Sequence, residues 1–397
     1  MKENIKKVVV YGLSALTDGH AALYSGLQEL KFAKCTIIQE SFDRTSKQLF
    51  NLELVEVNNN FFIKLFKLYK AFIDADFVEV YLHKYGYRKE FNELLVLLML
   101  SVLRKRIVLN FTGRDIREWD EHTWFKRKII KAFIKKSVFY TLKESYMHAD
   151  IKNKKIGDID KHVFIHNGVH NNFKKYERII SKDKVVILYN NRIKEHRNIP
   201  YLLDVMRDVL EVRNEAFFVL SGIKNDAEMN ELKSHLAKWD NDSQSKVLLL
   251  KINDYREMIY SQSDIFVMPA DVVWLNNSIL ESMRYGVVPI LPDVSWADRI
   301  IPANTNENLI YKHLNIKDFK NKLLELIDNE DLRVELSNKA KSHVELFLSS
   351  RKRALLHKLA YMAFVDNNDE GLKLLKFCDD YKILPLYDVE KVMEDHV

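Results

Sequence analysis

The stretch "NNSILESMRYGVVPI", residues 276–290, reads as a polar loop, the opening of a helix, a glycine and an apolar strand. A chain with ten glycines and six prolines places one of each here. The backbone amides of Asn277, Ser278 and Ile279 would lie at the helix N-terminus, where free N–H groups and the helix dipole favour a phosphate. Glu281, one turn into the helix, could accept hydrogen bonds from a ribose. The stretch therefore predicts a seat for a sugar nucleotide.

The same residues also fit a purely structural interpretation. Ser278 and Glu281 have the spacing of a capping box, in which a serine and a glutamate satisfy the unpaired amides at a helix start. The two interpretations are compatible, because a capped helix can still present its remaining amides to a ligand.

Composition indicates a globular protein with two domains. The chain has 397 residues, more than one compact core usually holds, and it is 47% hydrophobic and 30% charged. Its two cysteines, Cys35 and Cys378, lie far apart in apolar contexts without a C-x-x-C pair, which is typical of buried thiols in a reducing cytosol. The longest apolar run, "LLVLLMLSVL" at 94–103, is about half of the roughly 20 residues that a membrane span needs.

Charge is distributed unevenly along the chain. The formal net charge is +6, and residues 1–170 hold 29 Lys and Arg against 20 Asp and Glu. The remaining residues hold 33 against 36, so the basic excess belongs to the first half. This asymmetry suggests an anionic partner for that half, such as a membrane surface, an anionic polymer or a nucleic acid.

Short β-branched runs alternate with longer helical patterns, and the alternation occurs twice. "KKVVVYGL", "CTIIQES" and "DFVEVYL" precede the boundary, and "KVVILYN", "AFFVLSGI" and "IFVMPA" follow it. Such alternation predicts β-α-β units and parallel sheets. We therefore expect an α/β protein with two doubly wound, Rossmann-like domains at 1–170 and 171–345, and a helical tail at 346–397 that packs back on both domains.

A second polar segment, "ILYNNRIKEHRNIPYLLDVM" at 187–206, follows a predicted strand and opens a helix. Cations at a helix start oppose the helix dipole unless an anion is bound, so Arg192 and Arg197 favour a phosphate site over a solvated basic turn. Asn198 would open the helix, with Pro200 tolerated in its first turn.

Residues 263–291 resemble the donor-site segment of the retaining family 4 glycosyltransferases, which have the GT-B fold. The residues that fall on the family pattern are Pro269, Glu281, Met283, Gly286 and Pro289. The resemblance implies that Glu281 binds the ribose of the donor. It also places Arg192 and Arg197 on the two cationic positions that contact the donor diphosphate.

The chain departs from the family pattern at two positions. Val273 stands in place of the first family glutamate, which lies near the donor sugar; Asp271, two residues earlier, could supply a carboxylate instead. Thr112 stands where a histidine is usual, in "NFTGRDIR" at 110–117, whose Asp115 does match the family. The resemblance implies that the acceptor docks near Asp115 and Thr112.

Two further first-half segments resemble the family. "FIHNGVHNNF" at 164–173 is similar to its interdomain segment. "TDGHAALYSGL" at 17–27 stands where the family has a glycine-rich loop before its first helix, and Gly19 there could approach a phosphate through its backbone.

Taken together, the resemblance implies two Rossmann-like domains facing across a cleft, with C-terminal helices bridging them. It implies a glycosyltransferase that moves a sugar from a UDP- or GDP-linked donor to a glycan or lipid-linked acceptor, with retention and without a metal, in cell-surface polysaccharide or glycoconjugate synthesis. The chain shows no clustered metal ligands, and we expect no cofactor besides the donor substrate. The alternative is a non-catalytic scaffold subunit of a glycosylation complex, favoured by Val273 and Thr112.

A nucleic-acid-binding protein is a third hypothesis, raised by the basic first half. No base-stacking or groove-reading motif is visible, so no nucleic acid partner is expected. The basic helical segments "WFKRKIIKAFIKK" at 124–136 and "FFIKLFKLYKAFI" at 61–73 instead fit a membrane interface, with Trp124, Ile129, Ala132, Phe133 and, more loosely, Phe125 toward one side of the first. The alternative is a core-facing helix with a solvated lysine side. We expect a cytoplasmic chain that can associate with the inner face of the membrane.

Overall fold

The computed structural model describes residues 5–13, 18–39, 52–57, 60–82, 87–111, 116, 119–142, 145–170, 173–252, 255–273, 275–294, 297–365, 375 and 389–391. The chain forms two compact units. Unit 1 consists of residues 1–170 together with 347–397, and unit 2 of residues 171–346. The tail from residue 347 onward is thus part of unit 1.

Unit 1 is built on a parallel sheet with the strand order β3-β2-β1-β4-β5-β6-β7. Its strands are rich in Val, Ile, Phe and Tyr, and β4 is buried along its whole length, as expected for a parallel strand covered on both faces. The strands are β1 (Lys6–Tyr11), β2 (Ala33–Gln39), β3 (Glu53–Glu56), β4 (Phe77–Leu82), β5 (Arg106–Phe111), β6 (Phe139–Leu142) and β7 (His162–Phe164).

Helices cover both faces of this sheet. The described ones before the chain enters unit 2 are α1 (Asp18–Glu29), α2 (Phe61–Ile73), α3 (Tyr87–Val102), α4 (Trp124–Lys136) and α5 (Ser145–Asn153). One core cluster contains residues of α1 and of the helix at 350–365, which pack together on one face of the sheet, and a second cluster contains inward-facing residues of α2, α3, α4 and α5. The two clusters fill the two faces of the same sheet.

Unit 2 repeats this plan with the strand order β10-β9-β8-β11-β12-β13. All described pairings in this sheet are parallel. The strands are β8 (Val185–Asn190), β9 (Ala216–Ile223), β10 (Val247–Lys251), β11 (Ile265–Val267), β12 (Val288–Pro292) and β13 (Ile310–Tyr311). The helices are α6 (Ile199–Leu210), α7 (Asp226–Leu236), α8 (Asn241–Ser245), α9 (Arg256–Gln262), α10 (Asn277–Tyr285), α11 (Ala297–Ile300), α12 (Asn306–Leu309), α13 (Ile316–Asp328) and α14 (Glu330–Phe347).

The chain leaves unit 1 and returns to it at adjacent points. Val169 and Ser349 form a parallel bridge, in which Val169 N–H donates to the carbonyl of Leu348 and Ser350 N–H donates to the carbonyl of Val169. The helix α15 (Ser350–Val365) then packs against α1. Unit 2 is therefore an insertion between two neighbouring backbone segments of unit 1.

A buried carboxyl in the middle of the first sheet holds α15 in place. Glu79 of β4 has no exposed surface, and it accepts hydrogen bonds from Tyr24 of α1 (2.8 Å), Asn110 of β5 (2.9 Å) and Tyr361 of α15 (2.6 Å). Burial raises the pKa of the Glu79 carboxyl, while these hydrogen bonds and the charge of Arg353 act in the opposite direction. Each element around the carboxyl thus satisfies part of its hydrogen-bonding capacity.

The helix at 124–136 differs from its sequence prediction. Phe133 was expected to share one side with Trp124 and Phe125, but it is buried with Ile130 and Ile134, whereas Trp124 and Phe125 are exposed. The reason is that the core of unit 1 takes the Ile130–Phe133–Ile134 face of this helix. Among the described residues, no helix is long and apolar enough to cross a membrane.

We predict that Tyr361→Phe lowers the free energy of unfolding by about 1–3 kcal/mol, because it removes a donor from a fully buried carboxyl. Tyr140→Phe is the matched control, since the buried Tyr140 hydroxyl donates to a neutral backbone carbonyl, that of Asp158, at 2.7 Å. Urea unfolding of both variants measures the difference. A loss for Tyr140→Phe that equals or exceeds the loss for Tyr361→Phe would contradict the assigned role of Glu79.

Candidate functional site

A crevice is expected at the carboxyl edge of the unit 2 sheet. β8 pairs in parallel with β9 on one side and with β11 on the other, so successive strands are added toward one edge of the sheet from β8 to β10 and toward the opposite edge from β11 onward. Ligands of doubly wound sheets bind at such a switch point, outside the carboxyl ends of the strands. The loops after β8 and β11 therefore define the candidate site.

The loop after β8 carries the two predicted cations, and they lie in different environments. Arg192 is exposed, and its carbonyl accepts a hydrogen bond from the Tyr189 hydroxyl at 3.1 Å. Gly222, near the end of β9, lies directly beneath this loop. Only glycine fits at this position, because a Cβ atom there would lie 2.1 Å from the carbonyl oxygen of Asn191. The loop ends at Asn198, and α6 follows with Pro200 in its first turn, as predicted.

Arg197 is buried, with 4% of its surface exposed. Its Nη1 lies 3.1 Å from the sulfur of Met268 and donates to the carbonyl of Val272 at 3.2 Å. Burial lowers the pKa of Arg197, and nearby Tyr189 and Asp271 oppose that shift. The guanidinium therefore links the loop after β8 to the loop after β11.

Asp271, the predicted substitute carboxylate, is part of the same link. Its Oδ1 accepts a hydrogen bond from Asn198 Nδ2 at 2.7 Å and lies 3.2 Å from His313 Nε2. Its backbone N–H donates to the carbonyl of His196 at 3.0 Å. Asp271 thus joins segments that follow β8, β11 and β13.

Val273, which stands in place of the family glutamate, is fully buried. Its side chain belongs to the apolar interior of unit 2. Position 273 therefore offers the candidate site neither a carboxylate nor an exposed side chain.

The start of α10 is capped differently from the capping-box interpretation. Asn276 is the cap residue, and its side-chain oxygen accepts from Ser278 N–H at 2.9 Å. The predicted pairing of Ser278 with Glu281 at the helix start is therefore wrong, because asparagine is an equally good cap and lies two residues earlier. Of the three amides predicted to hold phosphate, that of Ser278 already has this partner, and that of Ile279 donates to the carbonyl of Asn276 at 3.1 Å.

The end of α10 explains the glycine of the opening stretch. Gly286 has a φ of 82° and caps the helix, donating from its N–H to the carbonyl of Met283. A Cβ atom at this position would lie 2.6 Å from the Ser337 hydroxyl oxygen and 2.2 Å from the side chain of Lys341. The left-handed backbone favours glycine here, and a Cβ atom would also displace the side chain of Lys341.

Glu281 of α10 is half-buried and is held by a chain of polar side chains. Its Oε2 accepts a hydrogen bond from the Tyr260 hydroxyl at 2.9 Å. The same hydroxyl accepts from Asn190 Nδ2 at 2.8 Å. Asn190 ends β8 and Tyr260 lies on α9, so this chain reaches from the carboxyl end of the switch-point strand to α10.

Sequence reasoning did not identify Asn190, Tyr260 or His313. Asn190 was visible in principle, because a polar residue directly after a buried strand indicates the carboxyl edge of the sheet. Tyr260 and His313 gave no local signal, since each meets its partner through the fold alone.

The remaining predicted residues lie in unit 1. Gly19 is the second residue of α1 rather than part of a loop before it. Thr112 and Asp115 lie outside the described residues. Within the part of the chain that the structure describes, no group of three or more His, Cys, Asp or Glu side chains could hold a metal ion.

Residues 171–343 match the family described as Glycosyl transferases group 1. The match falls within unit 2, which carries the crevice, and it indicates a glycosyltransferase. No curated protein matched the sequence of the chain.

Solved structures have a similar fold over 88% to 92% of the chain. Anabaena HepE in complex with UDP and glucose has a TM-score of 0.69 at 12% identity, over 88% of this chain and 97% of that one. A glycosyltransferase from Rickettsia africae has a TM-score of 0.66 at 15% identity, over 92% and 100%. Sucrose-phosphate synthase from Thermosynechococcus elongatus has a TM-score of 0.65 at 13% identity, over 92% and 100%. The predicted GT-B fold is confirmed.

We predict that Arg197→Ala lowers the stability of unit 2 by about 2–4 kcal/mol, because it leaves a cavity and an unsatisfied carbonyl beneath the loop after β11. Arg192→Ala should stay within about 0.5 kcal/mol of the wild type, because Arg192 is exposed. Thermal unfolding in the absence of ligand compares the two variants. Equal melting temperatures for both would show that Arg197 does not hold the two loops together.

Proposed function

We propose that the protein transfers a sugar from a UDP- or GDP-linked donor to a glycan or lipid-linked acceptor, with retention at the anomeric carbon and without a metal ion. The process would be the synthesis of a cell-surface polysaccharide or glycoconjugate. The observation that carries the proposal is the position of Glu281, held by Tyr260 and Asn190 beside the switch-point crevice of the unit that matches the family.

Glu281 would bind the ribose of the donor. A half-buried carboxylate already oriented by one tyrosine loses little freedom when it accepts further hydrogen bonds from a diol. The adjacent Asn277 adds a second polar group, because its buried side-chain oxygen has no hydrogen-bond partner among the described residues. A hydrogen-bond donor on the bound nucleotide would satisfy that oxygen. A buried acceptor left without a hydrogen bond costs about 1–3 kcal/mol of stability.

The diphosphate would lie against the loop after β8. The costly event in sugar transfer is departure of the nucleoside diphosphate, whose developing negative charge needs fixed positive groups. Arg192 is exposed and can contact phosphate oxygens directly, together with the amide of Asn277 at the start of α10. Arg197 would contribute its charge from beneath the crevice, while it holds the loop after β11 in position.

Asp271 would be the carboxylate nearest the donor sugar. The hydrogen bond from Asn198 and the contact with His313 fix its orientation, and its side chain remains partly exposed. His313 therefore joins Asp271 as a residue that we assign to the sugar end of the site. In unit 1, Gly19 remains our prediction for a backbone contact with phosphate, and Thr112 and Asp115 for the acceptor site.

The HepE structure holds UDP and glucose, which supports a uridine nucleotide as the first donor to test. A membrane surface would hold a lipid-linked acceptor at the site of synthesis, so peripheral attachment to the inner face of the membrane fits the same proposal.

The second candidate is a non-catalytic scaffold subunit with the same fold. The observation that favours it is the buried Val273, which removes the family carboxylate from the crevice. A scaffold of this kind could still bind a nucleotide sugar, so binding and turnover have to be measured separately.

We predict that UDP- or GDP-sugars raise the melting temperature of the chain. A ligand at 100 times its Kd stabilises a protein by about 2.7 kcal/mol, which corresponds to roughly 5–10 °C for a domain of this size. Arg192→Ala and Glu281→Gln should abolish most of the shift. Glu231→Gln, an exposed carboxylate of α7, is the matched control and should keep it.

The competing outcomes are distinct. A full shift in both crevice variants would place the donor elsewhere and remove the proposed site. A shift without hydrolysis or transfer of the sugar, in the presence of candidate acceptors, would favour the scaffold. Turnover that is lost in Asp271→Asn while the thermal shift persists would support Asp271 as a catalytic residue.

A further inference from the structure

The helix α2 presents a second apolar face to solvent. Phe62, Phe66, Tyr69 and Ile73 recur at the spacing i, i+4, i+7, i+11, which places them on one stripe along the helix. Their exposed fractions are 79%, 58%, 44% and 47%. We call this set the α2 stripe.

The α2 stripe lies outside the core of unit 1. α2 already buries Leu68 and Phe72 completely on the face toward the sheet. A surface helix normally has one apolar face and one polar face, so apolar residues outside the core face indicate a partner.

The charge along α2 is entirely positive. The helix contains Lys64, Lys67 and Lys70 and no carboxylate. Lys70 is exposed beside the α2 stripe, and its Nζ lies 4.7 Å from the centre of the Phe66 ring. Lys67 is also exposed, on the side of α2 toward β3, where its Nζ donates to the carbonyl of Glu56 at 2.8 Å. The aromatic and cationic groups therefore form one continuous surface.

A basic pocket adjoins this surface on the side of the sheet. It has a volume of about 440 Å³ and lies where α2 crosses the starts of β1, β2 and β3. Its cations are Lys7, Lys34, Lys67 and Lys70, against the two carboxylates Glu53 and Asp74. Lys34 Nζ lies 3.5 Å from Glu53, so this pair leaves three lysines against one carboxylate.

The neighbouring helices also expose apolar side chains, and one of them is strongly basic. α3 and α4 contribute to the same core cluster as α2, and they expose Leu98, Val102, Trp124 and Phe125. α4 carries six Lys and Arg residues and no carboxylate. This face of unit 1 therefore combines exposed apolar side chains with a strong positive charge.

We propose that the α2 stripe docks unit 1 on the surface of an anionic lipid bilayer. The four side chains of the stripe enter the interface between headgroups and acyl chains, Lys67 and Lys70 contact lipid phosphates, and the basic pocket receives a headgroup phosphate. Aromatic residues and lysines on one helix face are the pattern of helices that lie in a membrane interface. Each lysine near an anionic surface contributes an affinity factor of about fivefold.

Two other partners fit less well. A second copy of the chain would bring two positively charged faces together in an isologous contact, which costs free energy. A nucleic acid would use the lysines but would not bury the apolar side chains of the α2 stripe. The proposal rests on the proposed function in one respect, namely that the membrane holds the acceptor.

Co-sedimentation of the full chain with vesicles tests the proposal. We expect binding to vesicles of phosphatidylcholine with 30% phosphatidylglycerol, at least about tenfold weaker binding to pure phosphatidylcholine, and weakening with salt. Phe62→Ser with Phe66→Ser should reduce the partition coefficient at least about tenfold. Lys67→Gln with Lys70→Gln should reduce it by a similar factor.

Val334→Ser with Leu346→Ser is the matched control, because it removes two exposed apolar side chains from α14 of unit 2. This variant should bind vesicles like the wild type. Thermal unfolding establishes that all variants are folded, which is expected for substitutions at exposed positions.

Several results would overturn the proposal. These are equal binding to neutral and anionic vesicles, no vesicle binding by the wild type, or unchanged binding in the Phe62–Phe66 variant. Sedimentation velocity without lipid is a further check. A wild-type dimer that becomes a monomer in the Phe62–Phe66 variant would assign the α2 stripe to self-association. The Phe62–Phe66 variant should keep the increase in melting temperature caused by nucleotide sugars. If the wild type binds vesicles but nucleotide sugars do not raise its melting temperature, the proposed function is contradicted and the membrane-docking proposal is not.

Discussion

The Glu79 carboxyl imposes the strongest local constraint on unit 1. A carboxyl group removed from water costs several kcal/mol unless hydrogen bonds replace its hydration. The replacements come from α1, β5 and α15, so three elements that are distant in sequence must meet at one strand. The Tyr24 hydroxyl also lies 2.7 Å from the Tyr81 hydroxyl, which extends the polar network along β4. Hydrophobic burial brings these elements together, and the carboxyl requires a single arrangement of them.

Unit 2 applies the same logic beside its candidate site. Arg197 and Asp271 tie the loop after β8 to the loop after β11, and the chain from Asn190 through Tyr260 to Glu281 ties β8 to α10. The groups that orient the site are buried or already paired, whereas Arg192 is exposed. Orientation and ligand contact are therefore divided between different residues, although residues of both kinds are simply polar in the sequence.

Much of the fold was predictable because it follows from local patterns. Alternating strands and helices indicated both sheets, and Asn198 with Pro200 marked the start of α6 correctly. Gly286 was recognisable as a special position, since a glycine after a periodic helix usually adopts the left-handed conformation.

The details of the site were less predictable because they depend on distant contacts. Asn276 and Ser278 are both good helix caps, and their spacing alone could not select between them. Arg197 was expected to face an anion, yet its burial is determined by Met268 and Val272, more than 70 residues away. Glu79 gave no signal at all, because its partner Tyr361 lies 282 positions further along the chain.

That separation has a consequence for biosynthesis. At 5–20 residues per second, a ribosome needs roughly 15 to 60 seconds to travel from codon 79 to codon 361. During that interval the inserted unit, which is contiguous in sequence, can complete its own sheet, while the first sheet still lacks α15, which covers one of its faces together with α1. A prematurely terminated polypeptide would expose apolar surface and an unsatisfied acid, which are features that quality-control proteases and chaperones recognise. Completion of the first sheet therefore has to wait until residue 361 has been synthesised.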